Sequence, residues 1–213
     1  MRITKLEHAA FVLEKEGAKL VVDPGNFSRA LPDASGVAAV VITHEHADHW
    51  DAPHLEAIRA ANPGVPIYGP QGVKDAASDF DVTPVSPGET VTAGPFELSF
   101  FGGRHAVIHS SIPVVDNVGV AVDGGAVYYP GDSFTVPEGV EVDVLATPSS
   151  APWLKVGETM DFVLAVKPRR AFPTHEMINS EPGKAMAKAR IEWAAQQNGG
   201  ALLDLTPGDS VEL

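Results

Sequence analysis

Three histidines and an aspartate fall within six residues, His44-Glu45-His46-Ala47-Asp48-His49, directly behind the apolar run Val37-Ala38-Ala39-Val40-Val41-Ile42. A short unbroken apolar run of this kind reads as a buried strand, so the chain leaves the interior of a sheet straight into a cluster of metal-binding side chains. Residues two apart in extended backbone point the same way, so His44 and His46 converge on one ion. Asp48 and His49 lie past the point where the chain turns toward Trp50-Asp51-Ala52-Pro53, and they reach a second. Imidazole with carboxylate suits Zn²⁺ and its first-row neighbours. A closed structural zinc site takes four ligands, usually with cysteine, and this chain has no cysteine. The pattern therefore reads as a catalytic metal site.

Strands are expected at residues 2–6, 9–14 and 19–23, with Gly17 in the hairpin between the last two and Asp23-Pro24-Gly25-Asn26 ending the third. The strand 37–43 leads into the metal motif. A helix over roughly 53–61 is stopped by Asn62-Pro63-Gly64, Ile67 lies in a short strand, and 71–77 reads as one or two helical turns. Strands return at 89–93, 96–101, 118–122, 126–129 and 142–146, with Asp123-Gly124-Gly125 turning between the third and fourth of these. Helical spacing marks 156–166, and 171–173 follows as a strand. The clearest helix is 182–198, capped by Ser180 and ended by Gly199-Gly200, with Ala187, Ile191 and Ala194 as its inward stripe and Met186 and Trp193 alongside. Strands at 202–205 and 211–213 close the chain. With 213 residues and no low-complexity linker, these blocks predict two sheets covered by helices in a single domain over residues 1–213.

Ligands for two ions must come from several strand ends. His105 follows the strand 96–101 and the flexible Gly102-Gly103; Asp132 follows Tyr129-Pro130-Gly131; His175 follows Ala171-Phe172-Pro173-Thr174. A carboxylate just after glycine at the end of a buried strand is well placed to bridge two cations. Net charge narrows the partners. With 15 Lys+Arg against 28 Asp+Glu, the chain carries −13, which repels a phosphate backbone and supplies few cations for counterion release. No apolar run approaches a membrane span, and the N-terminus enters a strand pattern without a signal-peptide core, which together favour the cytoplasm. A small-molecule substrate is the expected partner.

His-x-His-x-Asp-His, a single His after a glycine-flanked strand, Gly131-Asp132-Ser133 and a final His resemble the metallo-β-lactamase superfamily in order and spacing from Asp23 to His175. Glu7-His8-Ala9-Ala10-Phe11 and the short length are similar to the branch with L-ascorbate-6-phosphate lactonase and zinc-dependent hydrolases. The resemblance implies an α/β fold, a four-layer αββα sandwich with the metals at one edge between the sheets. It implies that His44, His46 and His105 hold one metal, that Asp48, His49 and His175 hold the other, and that Asp132 bridges both. Zn²⁺ is the expected ion, with Mn²⁺ next. Asp23 would orient a ligand imidazole, and Asp48 would also orient the nucleophile or pass on its proton. His109, four residues after His105, also precedes a loop; His105 is preferred because it comes directly off the strand. His8 is a near-site candidate competing with ordinary packing, and His54, at a helix start, is expected on the surface. Arg104 is a candidate for an anionic substrate group, against a plain surface role. Trp50, Phe134 and Trp153 are candidates for an apolar wall. The expected activity is hydrolysis of a small-molecule lactone, ester or phosphodiester. Nuclease, iron-dependent oxygenase and non-catalytic metal-binding roles are the alternatives. A bridging aspartate in place of the cysteine of the dominant zinc β-lactamases counts against antibiotic hydrolysis.

Overall fold

The computed structural model describes residues 1–213. Strands β1 (Arg2–Lys5), β2 (Phe11–Lys15) and β3 (Ala18–Val22) run as an antiparallel meander. The β2–β3 turn places Glu16 and Gly17 at φ 53° and 80°, the double left-handed turn that matches strand twist. From β3 the sheet continues in parallel through β4 (Val37–Val41), β5 (Ile67–Gly69) and β6 (Val82–Pro84). Parallel neighbours need crossovers, and these carry α1 (Ala52–Ala61) and α2 (Gln71–Ala76).

A second sheet starts with antiparallel β7 (Thr90–Ala93), β8 (Phe96–Arg104), β9 (Asp116–Val122) and β10 (Val127–Tyr129). It turns parallel through β11 (Val144–Pro148), β12 (Arg170–Thr174) and β13 (Ala201–Leu202), with α3 (Val156–Val166) and α4 (Glu181–Gln196) in the last two crossovers. The last strand, β14 (Ser210–Glu212), returns to the first sheet beside β1, so each sheet has seven strands.

Alternation along β4 shows how the layers form. Ala39 and Val41 join a core of 21 buried residues drawn from both sheets, while Val40 and Ile42 face Leu55, Ile58 and Val73 of α1 and α2. On the far side Ala121, Tyr128, Leu145 and Ala171 pack against Phe162 and Val163 of α3 and Ile191, Ala194 and Ala195 of α4. Both faces of each sheet are buried, which gives the αββα sandwich. No helix is long and apolar enough to cross a membrane.

Several boundaries differ from the sequence reading, each for a local reason. Strand β8 runs on through Gly102 and Gly103 to Arg104, paired with Val118 and Asn117, so the glycines are not a flexible spacer. Ala9 and Ala10 belong to the β1–β2 turn. Strand β11 sits two residues later than expected, because Asp143 at its foot binds Arg170 at 2.5 Å and Pro148 still pairs with Thr174. Strand β6 was not expected, being three residues ending in proline, and the strand near 202–205 shrinks to Ala201–Leu202. On α4, Met186 and Trp193 are 70% and 44% exposed; Ala195 takes the inward place. His54 is largely buried, its Nδ1 facing the Pro24 carbonyl at 3.1 Å, and so ties α1 to the loop after β3.

Phe172 is fully buried in the inter-sheet core, its ring 5.9 Å from Phe11. Phe172→Ala is expected to cost about 3–5 kcal/mol in urea unfolding.

Candidate metal centre

Strands β1, β3 and β4 run the same way in the first sheet, as do β8, β10, β11 and β12 in the second. Their C-terminal ends release His8, Asp23, His44, His105, Asp132, Ser150 and His175 onto one edge of the sandwich. Residues more than a hundred positions apart meet there.

Two donor groups result. His44, His46 and His105 bring one nitrogen each within 4.8 Å of one another, with ring centroids 4.7 to 4.9 Å apart. Asp48, His49 and His175 form the second group, together with His8. Asp132 lies between them: Oδ2 is 3.4 Å from His105 Nε2 and 3.1 Å from His175 Nε2, and Oδ1 is 3.4 Å from His49 Nε2. His109 is exposed and bonds Ser111 Oγ at 2.7 Å through Nδ1. The structure brings His105, not His109, to the cluster.

The outward nitrogens are pinned. His105 Nδ1 and His175 Nδ1 each lie 2.5 Å from a backbone carbonyl, those of Ala106 and Ser150. A carbonyl only accepts, so these Nδ1 atoms carry the proton and aim the other nitrogen inward. His49 Nδ1 lies 2.6 Å from Asp23 Oδ2, and Asp23 also accepts from the Thr43 N–H at 2.8 Å and hydroxyl at 2.7 Å. Asp23 holds φ at 45°, a strained backbone supported by these bonds. Inward, His49 Nε2, His105 Nε2, His175 Nε2 and Asp132 Oδ1 are buried with no hydrogen-bond partner. Unpaired buried polar atoms cost about 1–3 kcal/mol each, and four converging on one space call for an electrophile. Divalent cations fit this set of imidazole and carboxylate donors.

Close approach makes two glycines necessary. A Cβ on Gly25 would lie 1.9 Å from the Asp48 carbonyl oxygen, so the loop after β3 can support the motif loop only without a side chain. Gly131 has φ 64°, and a Cβ there would meet Asn117 Oδ1 at 2.4 Å. That oxygen accepts from the Asp132 N–H at 3.0 Å, and so fixes the carboxylate's backbone.

The protein family model described as the β-lactamase superfamily domain matches residues 2–175. The chain belongs to the metallo-β-lactamase superfamily. It is 34% identical over 196 residues to Protein Rv0786c of Mycobacterium tuberculosis, covering 90% of this chain and 91% of that one. A UPF0173 metal-dependent hydrolase of Aeropyrum pernix is 32% identical over 200 residues, covering 82% and 81%. Among solved structures, the metallo hydrolase Igni18 of Ignicoccus hospitalis superposes with a TM-score of 0.75 at 19% identity, covering 99% and 97%. The chain is thus a metal-dependent hydrolase of the metallo-β-lactamase superfamily.

Other candidates fall elsewhere. Arg104 is exposed, donating to the Val114 carbonyl at 2.9 Å. Trp50 donates to the Glu45 carbonyl at 2.9 Å and packs with the α1 layer, while Phe134 lies between Phe162 of α3, at 5.4 Å, and Trp153, at 5.1 Å. Trp153 is more than a wall: its indole N–H donates to Asp132 Oδ2 at 2.9 Å. Thr43 and Asn117 escaped the sequence reading, since nothing in a lone buried Thr or Asn marks it as a support.

Charge differs between the two groups. Burial pushes His175 down, but the facing carboxylates of Asp132 and Asp48 outweigh it and hold it up at about 10. His49 is also raised against burial, by Asp132 and Asp23. In the first group, burial and neighbouring imidazoles lower His44 and His46. Burial works against ionised Asp132 and Asp48, yet the histidines around them hold both well below the usual carboxylate range. At neutral pH the metal-free second group therefore carries protons that a cation must displace. Zinc loading at pH 7 is expected to release about one to two protons from this group and none from His44 or His46. Affinity there should rise with pH up to about 10. Calorimetry in buffers of different ionisation heat measures the release.

The two histidine candidates are also separable by substitution. His105→Ala should lower metal content, and His109→Ala should leave it at the wild-type value, both read by elemental analysis.

Proposed function

We propose that the protein hydrolyses a small-molecule lactone, ester or phosphodiester with two divalent cations, Zn²⁺ first and Mn²⁺ next. His44, His46 and His105 would hold one cation, Asp48, His49 and His175 the other, and Asp132 would be shared. The observation that carries this reading is the set of four buried, unpartnered donor atoms gathered around Asp132 from both groups. Such cations supply polarisation of a carbonyl or phosphoryl oxygen and lower the pKa of water from about 15.7 toward 7.

The chain's own residues do the rest. Asp132 contributes negative charge that offsets the repulsion between two cations, and Trp153 and Asn117 hold its head and its backbone. Asp48 keeps 23% of its side chain exposed, at the mouth of the site. Held ionised by its histidine neighbours, it acts as an acceptor that orients attacking water rather than as a strong base. Loops after β3, β8 and β12 add exposed Phe27, Val107, Ile112, Met177 and Ile178 at this edge. The nearby cations are engaged: Arg29 pairs with Glu7, Lys5 with Glu176, and Arg104 binds a carbonyl. An apolar rim on which Lys5 and Arg29 are already paired with carboxylates favours a lactone or ester bearing an apolar group. The net charge of −13 speaks against nucleic acid as substrate.

Metal analysis of protein purified without chelator should give about two equivalents per chain, and a value of one or below after added zinc would exclude the dinuclear reading. Asp132→Asn should lose at least one equivalent and lower hydrolysis of a reporter ester by at least about 100-fold, because a neutral amide cannot share two cations as a carboxylate does. Its melting temperature should fall only by the lost ion's binding contribution. Unchanged metal content with unchanged turnover would remove Asp132 from the site.

A further inference from the structure

We propose that His8 is a positioning residue: a neutral imidazole that donates a hydrogen bond to Asp48 and ties that carboxylate to the loop following β12. The proposal rests on the assignment of Asp48 to the metal site. His8 lies in the β1–β2 turn, 1% exposed, with its backbone at φ 58°. Non-glycine residues persist in this region when their surroundings over-determine them, and here the contacts are specific. The His8 carbonyl accepts from the His175 N–H at 3.0 Å. Its ring lies 4.0 Å from the His175 ring, and the Phe27 ring closes its other side at 4.9 Å. Both ring nitrogens are engaged: Nδ1 faces the Met177 N–H at 3.3 Å, and Nε2 faces Asp48 Oδ2 at 3.1 Å.

These partners decide the tautomer. A backbone N–H only donates, so Nδ1 holds the lone pair and the ring proton sits on Nε2, pointing at the carboxylate. Asp48 Oδ2 is the same oxygen that lies 3.3 Å from His175 Nε2 and 3.8 Å from His49 Nε2. One ring nitrogen of His8 is within 4.8 Å of the donor atoms of this group. Yet a nitrogen that donates its proton to Asp48 has no lone pair for a cation. His8 therefore turns the ligand oxygen toward the metal position instead of adding a ligand. Through Met177 the same ring fixes the loop that carries exposed Met177 and Ile178, so the rim and the second metal position share one support.

The two duties can be separated by substitution. An asparagine oxygen reaches roughly the place of Nδ1, and asparagine tolerates left-handed backbone, so His8→Asn keeps the acceptor for Met177 and loses the donor to Asp48. A glutamine amide nitrogen reaches roughly the place of Nε2, so His8→Gln keeps the donor and loses the acceptor. The experiment combines ¹⁵N NMR of the His8 ring in zinc-loaded wild type, chelator-competition zinc affinities of all three proteins, and thermal unfolding. The expected result is a proton-bearing Nε2 beside an unprotonated Nδ1 with zinc bound. His8→Asn should weaken zinc at the second group about 10–100-fold while the tighter phase stays within about threefold, and His8→Gln should stay within about threefold in both. A zinc-ligated Nε2 would make His8 a metal ligand and overturn the proposal. So would wild-type affinity in His8→Asn, or equal weakening in both variants with parallel losses of melting temperature. If wild type binds a single equivalent, the two-cation reading falls by itself; the tautomer and the Asn–Gln contrast on that equivalent still decide the role of His8.

Discussion

Asp132 is a 97%-buried carboxylate facing three imidazole nitrogens from three separate segments, and the architecture of this edge follows from keeping it charged there. An isolated ionised carboxylate in such surroundings would neutralise itself. His175, held up at about 10, stabilises it in the metal-free protein, His49 is shifted in the same direction, and divalent cations would do so more strongly. The same constraint explains the outer supports. Every imidazole that faces Asp132 has its other nitrogen anchored, because a ring free to flip would leave the carboxylate without its partner.

The sandwich supplies what the site needs in rigidity. Buried parallel strands deliver ligands from backbone that cannot shift without breaking two apolar layers. The motif loop, the least regular part of the edge, rests on Gly25 and Asp23 at the end of the neighbouring strand. This makes the loop after β3 as much a part of the centre as the histidines. Asp23, Thr43 and Asn117 form a polar layer between the inter-sheet core and the donor atoms, and all three are fully buried. A polar layer of this kind is stable only when its members are satisfied: Asp23 is by Thr43 and His49, and Asn117 by the Pro130 carbonyl and the Asp132 N–H.

The surface and the site differ in electrostatic character. Scattered acidic residues give the chain its negative charge, whereas the nearby basic groups are already paired or bound to carbonyls. Around the mouth, exposed apolar Phe27, Val107, Ile112, Met177 and Ile178 lie among exposed polar groups such as His109 and Arg104. Under the proposed function, substrate selection on such a rim would work through shape and desolvation more than through long-range attraction.

Periodicity and spacing in the sequence marked most of the strands, the four helices, two sheets covered by helices and the donor types, while the four-layer order came from the family resemblance. Val37 to Ile42 leads into the motif wherever the chain folds, and residues 187, 191 and 194 mark a helix face by spacing alone. Short or proline-bearing strands such as β6 escaped, because three residues carry too little pattern, and Met186 and Trp193 were misplaced because apolar character does not say which side of a stripe is covered. Tertiary structure brought His105, already preferred over His109 for coming directly off its strand, to the cluster, and it alone put Trp153 on Asp132 and turned His8 toward Asp48. Each choice depends on which strand ends share an edge. That is fixed by long-range pairing and by backbone carbonyls such as that of Ser150, which leave no trace in residue identity.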